Sequence, residues 1–249
     1  MIDCHAHLTD SRFTGERQAI LARARAAGVE RVLCVGEKLC DIEPVLSLSR
    51  GETMVEACIG LYPDQLDPAA EEEMARAILD HAGELRGIGE VGLDYWIARE
   101  EAERERQRAL LKRFVALSLK TDLPLNIHSR SAGRHTIELL RDCGARKVLM
   151  HAFDGRANYA LAAVEAGFLF SIPPSIVRSP QKQKLVRRLP LEALLLESDA
   201  PVLGPDPKER NEPANLALTV ESIAALKACD REKVIARTHE NAHKLFALN

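Results

Sequence analysis

The amino-acid sequence predicts an α/β protein, a (β/α)8 TIM barrel built as a single domain over residues 1–249. Three observations carry that prediction. Short β-rich runs alternate with longer amphipathic runs from one end to the other. Eight strands, each followed by a helix, fill the chain, and roughly 250 residues is the usual size of such a barrel. No Pro/Ser/Gly-rich linker and no low-complexity stretch divides the sequence. A doubly wound open sheet is the competing arrangement.

The elements follow in order. The strand Ile2–Cys4 precedes the helix Glu16–Ala27, and Arg31–Val35 precedes Ile42–Leu48. Met54–Ile59 is followed by Ala69–Ala82, and Gly87–Gly89 by Glu100–Leu119. Leu125–Ile127 leads into Thr136–Asp142, and Lys147–Met150 into Ala157–Ala166. Phe168–Ser171 precedes Lys182–Arg188, Ala193–Leu196 precedes Ala214–Ala228, and a last helix, Arg231–Ala247, closes the chain. Glycines at 28, 51, 83, 144 and 167 stand at helix ends, where a left-handed residue is wanted.

Composition narrows the function. The 34 basic and 37 acidic residues leave a net charge of −3, which excludes a uniformly cationic DNA packager but not a small basic groove. With 46% hydrophobic and 29% charged residues, the chain is globular and not disordered. Six cysteines show no C-x-x-C spacing, so they read as buried, reduced thiols and not as a disulfide framework or zinc ribbon. The start MIDCHAHLTD has neither a signal- nor a transit-peptide pattern. No apolar run approaches the ~20 residues of a membrane span. The expected setting is the cytoplasm, with no membrane and no obligate protein partner.

The chemistry begins at His5-Ala6-His7. Side chains two apart on a strand share a face, and at the C-terminal end of a barrel strand that face is the mouth that carries active sites. Alone, H-x-H is a weak signal. Glu90, His128, His151 and Asp199 strengthen it, because each stands just past a different apolar run. Six potential ligands converging on one rim would be a costly polar cluster unless they shared a cation. They exceed the needs of one tetrahedral ion and suit two ions with a bridging carboxylate, for which Glu90 is the candidate. His5 and His7 would hold one ion, His128 and His151 the other, and Asp199 would touch a metal and handle a proton. Zn²⁺ or Mn²⁺ suits four imidazoles better than Mg²⁺, although none of the three is excluded.

The same stretches resemble a known family, the TatD metal-dependent hydrolases within the amidohydrolase-like barrels. The resemblance runs through Asp3-Cys4-His5-Ala6-His7-Leu8, Gly87-Ile88-Gly89-Glu90-Val91-Gly92-Leu93-Asp94 and Pro124-Leu125-Asn126-Ile127-His128-Ser129-Arg130. It continues through His151-Ala152-Phe153-Asp154-Gly155, Glu197-Ser198-Asp199-Ala200-Pro201 and Arg210-Asn211-Glu212-Pro213-Ala214-Asn215. It implies a TIM barrel with two divalent ions on His5, His7, Glu90, His128, His151 and Asp199. It also implies hydrolysis of DNA phosphodiesters, often as an exonuclease working from the 3′ end, with DNA single strands or 3′ ends as substrate. The family match puts Arg210 and Glu212 near the site. Many members carry Gly-x-His-Pro after the third strand, whereas this chain has Gly60-Leu61-Tyr62-Pro63. Tyr62 can hydrogen-bond or stack, but it is a poor ligand for a divalent ion.

In the expected mechanism, Asp199 takes the proton from an attacking water, and Arg130 offers a guanidinium fork to phosphate at the rim. Lys182, Lys184, Arg187 and Arg188 form a basic cluster able to steer a polyanion. The run from Arg99 to Arg113 mixes both signs at helical spacings and reads as a solvated face. Two other functions stay open: a metal-dependent amidohydrolase acting on a small C–N substrate, and a non-catalytic metal-binding barrel.

Overall fold

The computed structural model describes residues 1–248. Eight strands form one parallel sheet in sequential order. They are β1 (Ile2–Ala6), β2 (Arg31–Gly36), β3 (Val55–Ile59), β4 (Leu85–Gly92), β5 (Leu125–His128), β6 (Val148–Met150), β7 (Leu169–Ile172) and β8 (Leu194–Leu196). Every adjacent pair from β1 to β8 is parallel. The ring closes through main-chain bonds between the ends of β8 and β1: Asp199 N–H donates to His5 O (2.9 Å) and His7 N–H to Ala200 O (2.8 Å). This is the (β/α)8 barrel, not the open sheet.

The helices are α1 (Arg17–Ala26), α2 (Ile42–Gly51), α3 (Pro68–Asp80), α4 (Glu101–Thr121), α5 (Gly133–Asp142), α6 (Ala157–Glu165), α7 (Pro180–Arg188), α8 (Leu216–Lys227) and α9 (Arg231–Phe246). Sequence marks several of their ends. Pro68 opens α3 behind the Asp67 cap, whose carboxylate accepts from Ala69 N–H. Gly28, Gly144 and Gly167 adopt the left-handed conformation expected after a helix, whereas Gly51 is the last residue of α2 and Gly83 has no positive φ. Residues 213–215 form a 3-10 turn, so α8 begins two residues later than its pattern predicts.

Two apolar cores result. Outward-facing strand residues such as Val32, Ala57, Ile88 and Phe170 pack under the helices with Leu21, Phe114 and Ile223. A second core holds Ile2, Cys4, Leu33, Val35, Cys58, Leu149 and Leu195. The end of α9 and the residues after it seal this second core with Leu245, Phe246 and Leu248.

Two strand boundaries differ from expectation in a way that matters. His5 lies inside β1 and Glu90 inside β4, instead of just past them. At both places the strand register is irregular, between Asp3 and Ala6 and between Ile88 and Val91. Such irregularities bend a strand and re-aim a side chain. Gly89 and Gly92 let β4 lie close to β5: a Cβ at Gly92 would stand 2.0 Å from His128 O, and one at Gly89 2.6 Å from Asn126 Cβ. Glu90 is thereby carried up against His128.

Candidate active site

A cavity of about 430 Å³ opens at the C-terminal mouth of the barrel. His7, Glu90, His128, His151, Asp199, Tyr62 and Arg130 all line it. His5 lies beneath, fully buried, against His7 and Glu90.

Each histidine has one ring nitrogen tied outward and the other turned toward the carboxylates. His5 Nδ1 donates to Asn126 Oδ1 (2.8 Å), and the Asn126 amide is itself fixed by donating to Cys4 O (2.9 Å). His7 Nδ1 donates to Val35 O (3.2 Å). His151 Nδ1 donates to Glu197 Oε2 (3.2 Å), and Ala152 N–H donates to Glu197 Oε1 (2.9 Å). His128 is reversed: its Nε2 donates to Asp94 Oδ2 (3.0 Å), leaving Nδ1 facing Glu90. A neutral imidazole protonated on its anchored nitrogen presents a lone pair from the other, which is what a metal requires.

The distances test whether an ion fits. His5 Nε2, His7 Nε2, Glu90 Oε2 and Asp199 Oδ1 stand 3.1–3.7 Å apart in the five pairs that meet: 3.1 Å between the imidazoles, and 3.5, 3.7, 3.5 and 3.5 Å from imidazole to carboxylate. Ligands about 2.1 Å from a tetrahedral ion are spaced by about 3.4 Å. On the other side, Glu90 Oε1 lies 2.6 Å from His128 Nδ1 and 3.3 Å from His151 Nε2. His128 Nδ1 is buried and has no hydrogen bond of acceptable geometry, although that carboxylate oxygen is so near. The donors therefore fit a divalent cation, and three overlapping groups of them can hold one.

The electrostatics agree. Burial opposes charge on Glu90, but the facing His151 and His128 outweigh it and hold the carboxyl well below its ordinary value. Burial lowers His7, yet its hydrogen bond to Asp199 and the Glu90 charge raise it to about 9. His151 is likewise raised against burial by Glu197 and Glu90. Without a metal, protons on these imidazoles neutralise the carboxylates; a cation would take their place. Asp199 also has a left-handed backbone, φ 53°. That conformation costs a non-glycine residue about 1–2 kcal/mol and is held by the Asp199 N–H to His5 O bond and by Val202 N–H donating to Asp199 O (2.8 Å).

A model of the family described as TatD-related DNase matches residues 2–247. The chain belongs to this family. Human deoxyribonuclease TATDN3 is 44% identical over 258 aligned residues, covering 99% of this chain and 94% of that protein. The metal-dependent hydrolase YabD of Bacillus subtilis is 31% identical, with all of both chains covered. The crystal structure of the TatD homologue YjjV from Escherichia coli superposes with a TM-score of 0.93 at 26% identity, covering 100% of this chain and 98% of that one.

The position where many TatD proteins carry histidine has a different use here. The Tyr62 hydroxyl donates to Asp94 Oδ2 (2.7 Å) and sits 3.1 Å from His128 Nε2. Burial and Asp94 raise its pKa far above the ordinary tyrosine value, so it stays protonated. Its hydrogen is thus committed to Asp94. Arg130 lines the rim, with Nη2 2.7 Å from the same Asp94 oxygen.

Arg210 and Glu212 are not brought to the cavity. Arg210 pairs with Glu16 (2.7 Å) and lies over the Phe13 ring, while Glu212 is bound by Arg23 (2.5 Å). Each has a nearer partner of opposite charge around α1, and the loop turns them there. The expected basic cluster on α7 also divides: Lys184, Arg187 and Arg188 are exposed, but Lys182 is buried and lines the cavity. Asp94, Asn126 and Glu197, which anchor imidazoles, and Glu37 and Asp154, which line the cavity, were not among the expected residues. Asp94 and Glu197 stand close in sequence to ligand candidates, four residues after Glu90 and two before Asp199. Nothing in the spacing singles out Glu37 or Asp154. Among the described residues no helix is long and apolar enough to cross a membrane.

Proposed function

We propose that the chain is a metal-dependent phosphodiesterase that shortens DNA from 3′ ends, with two divalent ions (Mg²⁺, Mn²⁺ or Zn²⁺) held at the barrel mouth. The observation that carries this reading is the position of Glu90. One of its oxygens faces His5 and His7, and the other faces His128 and His151. A single carboxylate between two imidazole pairs would suit the holding of two divalent cations side by side. When bound, such ions supply positive charge that lowers the pKa of a water toward neutrality and offsets charge on phosphoryl oxygens.

The residues of the chain do the rest. Asp199 opens onto the cavity beside His7 and is the group placed to accept the proton of the attacking water. Burial opposes its ionisation, but His151 and His7 hold its pKa below the ordinary value, so it is ionised at neutral pH. Arg130, fixed by Asp94 and half-exposed, meets the phosphate from the rim. Tyr62 and Asp94 hold His128 in one tautomer. The six unpaired cysteines fit a reducing, cytoplasmic setting.

An amidohydrolase acting on a small C–N substrate would use the same barrel. Against it, Glu90 occupies the place where many such dinuclear sites carry a carboxylated lysine. The complete ligand set argues against a non-catalytic barrel. The deciding experiment uses 5′-labelled single-stranded DNA with Mg²⁺, Mn²⁺ or chelator, beside Glu90→Ala. A ladder shortening from the 3′ end, lost with chelator and in the variant, is expected. Intact DNA in every lane, with metal present in the protein, would overturn the reading. Asp199→Asn should keep metal but lose most turnover; wild-type turnover there would remove Asp199 from the proton transfer.

A further inference from the structure

Lys182 is the third residue of α7, where Ser179 Oγ accepts from its main-chain N–H (3.3 Å). Its side chain runs into the cavity and is only 8% exposed. The ammonium donates to one acceptor, the carbonyl oxygen of Ala152, at 3.3 Å. Among the described residues no carboxylate lies within 4.0 Å of it. An ammonium carries three donors, and burying one beside a single carbonyl is costly. Burial lowers its pKa from the ordinary lysine value, with Glu197, Asp154 and Asp199 opposing. The other cation lining the cavity, Arg130, is already bound to Asp94. The cavity thus contains one positive group without a carboxylate partner, and Ala152, its carbonyl contact, directly follows the ligand candidate His151.

We infer that Lys182 is an anion anchor: it donates to a non-bridging oxygen of the substrate's phosphate and makes the cavity selective for phosphate esters over neutral amides and esters. This deepens the phosphodiesterase reading and, as a statement about substrate class, rests on it. The phosphate supplies further acceptors and a negative charge in direct contact, where the folded protein offers only the Ala152 carbonyl. No proton is transferred and no bond is broken by Lys182. It sits on the α7 side of the mouth, while Arg130 approaches from the end of β5. A phosphate between them is gripped from two sides, and its orientation is set before reaction.

The test uses inorganic phosphate as probe on the metal-loaded wild type, Lys182→Met and Lys182→Arg. Phosphate should raise the Tm of the wild type and much less that of Lys182→Met, with Lys182→Arg restoring part of the rise. If DNA is cut, Lys182→Met should raise KM for a short single strand, and the inhibition constant of phosphate, by about 10- to 100-fold, the worth of one charge-assisted hydrogen bond. kcat should change less. A second measurement needs no variant: phosphate should slow acetylation of Lys182 in the wild type relative to exposed Lys184. Equal phosphate shifts in the wild type and a folded Lys182→Met of the same metal content would overturn the anchor, as would unprotected Lys182. A wild type that cuts no DNA, yet loses phosphate binding in Lys182→Met, would overturn the phosphodiesterase reading and support the anchor.

Discussion

The two ends of the barrel are built from the same eight strands to opposite specifications. At the floor, Leu245, Phe246 and Leu248 close the interior against Ile2, Leu33, Cys58 and Leu195 with apolar side chains. At the mouth the interior turns polar: Asp3, His5, Glu90, Asp94, Asn126 and Glu197 are all buried. Apolar contact is non-directional, so the floor tolerates imprecision and supplies stability. Buried polar groups give little net stability and a large penalty if misplaced. Asp3 shows this cost, its carboxyl pushed up to about 7, chiefly by burial. The barrel stores its stability at one end and spends precision at the other.

The sharpest way to separate the two ends is Glu90→Ala. Both halves of the ligand cluster share this residue, so turnover should fall by more than ~10³-fold, about 4 kcal/mol of barrier, and bound metal should fall with it. Steady-state kinetics and metal analysis check both. Next comes Phe246→Ala at the floor, expected to cost ~3–5 kcal/mol of stability in denaturant unfolding, with metal content per folded molecule unchanged. Lost metal affinity there would break the comparison by showing that floor and mouth are coupled. Asp94→Asn should lower metal affinity or turnover by about 10- to 100-fold while moving the unfolding midpoint much less than Phe246→Ala.

Proton linkage gives a graded test. His7 is protonated below about 9 in the metal-free protein, and a cation must displace that proton. Apparent metal affinity should therefore fall as pH drops below 9, by up to ~10-fold per unit for each proton displaced. Calorimetric titration in buffers of different ionisation enthalpy counts those protons; pH-independent affinity between 6 and 9 would remove His7 from the ligand set. The smallest effect is expected at Arg210→Ala, within about twofold in kcat/KM, because its partner Glu16 is an exposed surface pair. A large loss there would restore Arg210 to substrate binding.

The barrel and its six converging ligand candidates were legible because strands buried on both faces read as apolar runs, and a histidine or acid after such a run stands out. The same logic misplaced His5 and Glu90, since a polar residue inside a strand looks like its end. Lys182 was grouped with Lys184, Arg187 and Arg188 by charge. Helical spacing separates it, placing it three and four residues before the buried Leu185 and Val186. Arg210 and Glu212 rested on a motif's position along the chain, and position in a loop does not say which way a side chain turns. Tyr62 reads from the sequence as a residue able to hydrogen-bond or stack, but its acceptor, Asp94, lies 32 residues away, just past the end of β4, a distance no local pattern spans.

The seam of the barrel has one more consequence. The bonds that close β8 onto β1 start and end at the ligand candidates themselves: Asp199 N–H donates to His5 O and His7 N–H to Ala200 O. A fluctuation that unzips the first and last strands must also pull the two histidines away from the aspartate. Local opening at the mouth and loss of the cation site are then a single event. The amides of His7 and Asp199 should exchange with solvent only through that opening, and each should slow together when metal is added. The join that makes the sheet a ring doubles as the clasp of the site.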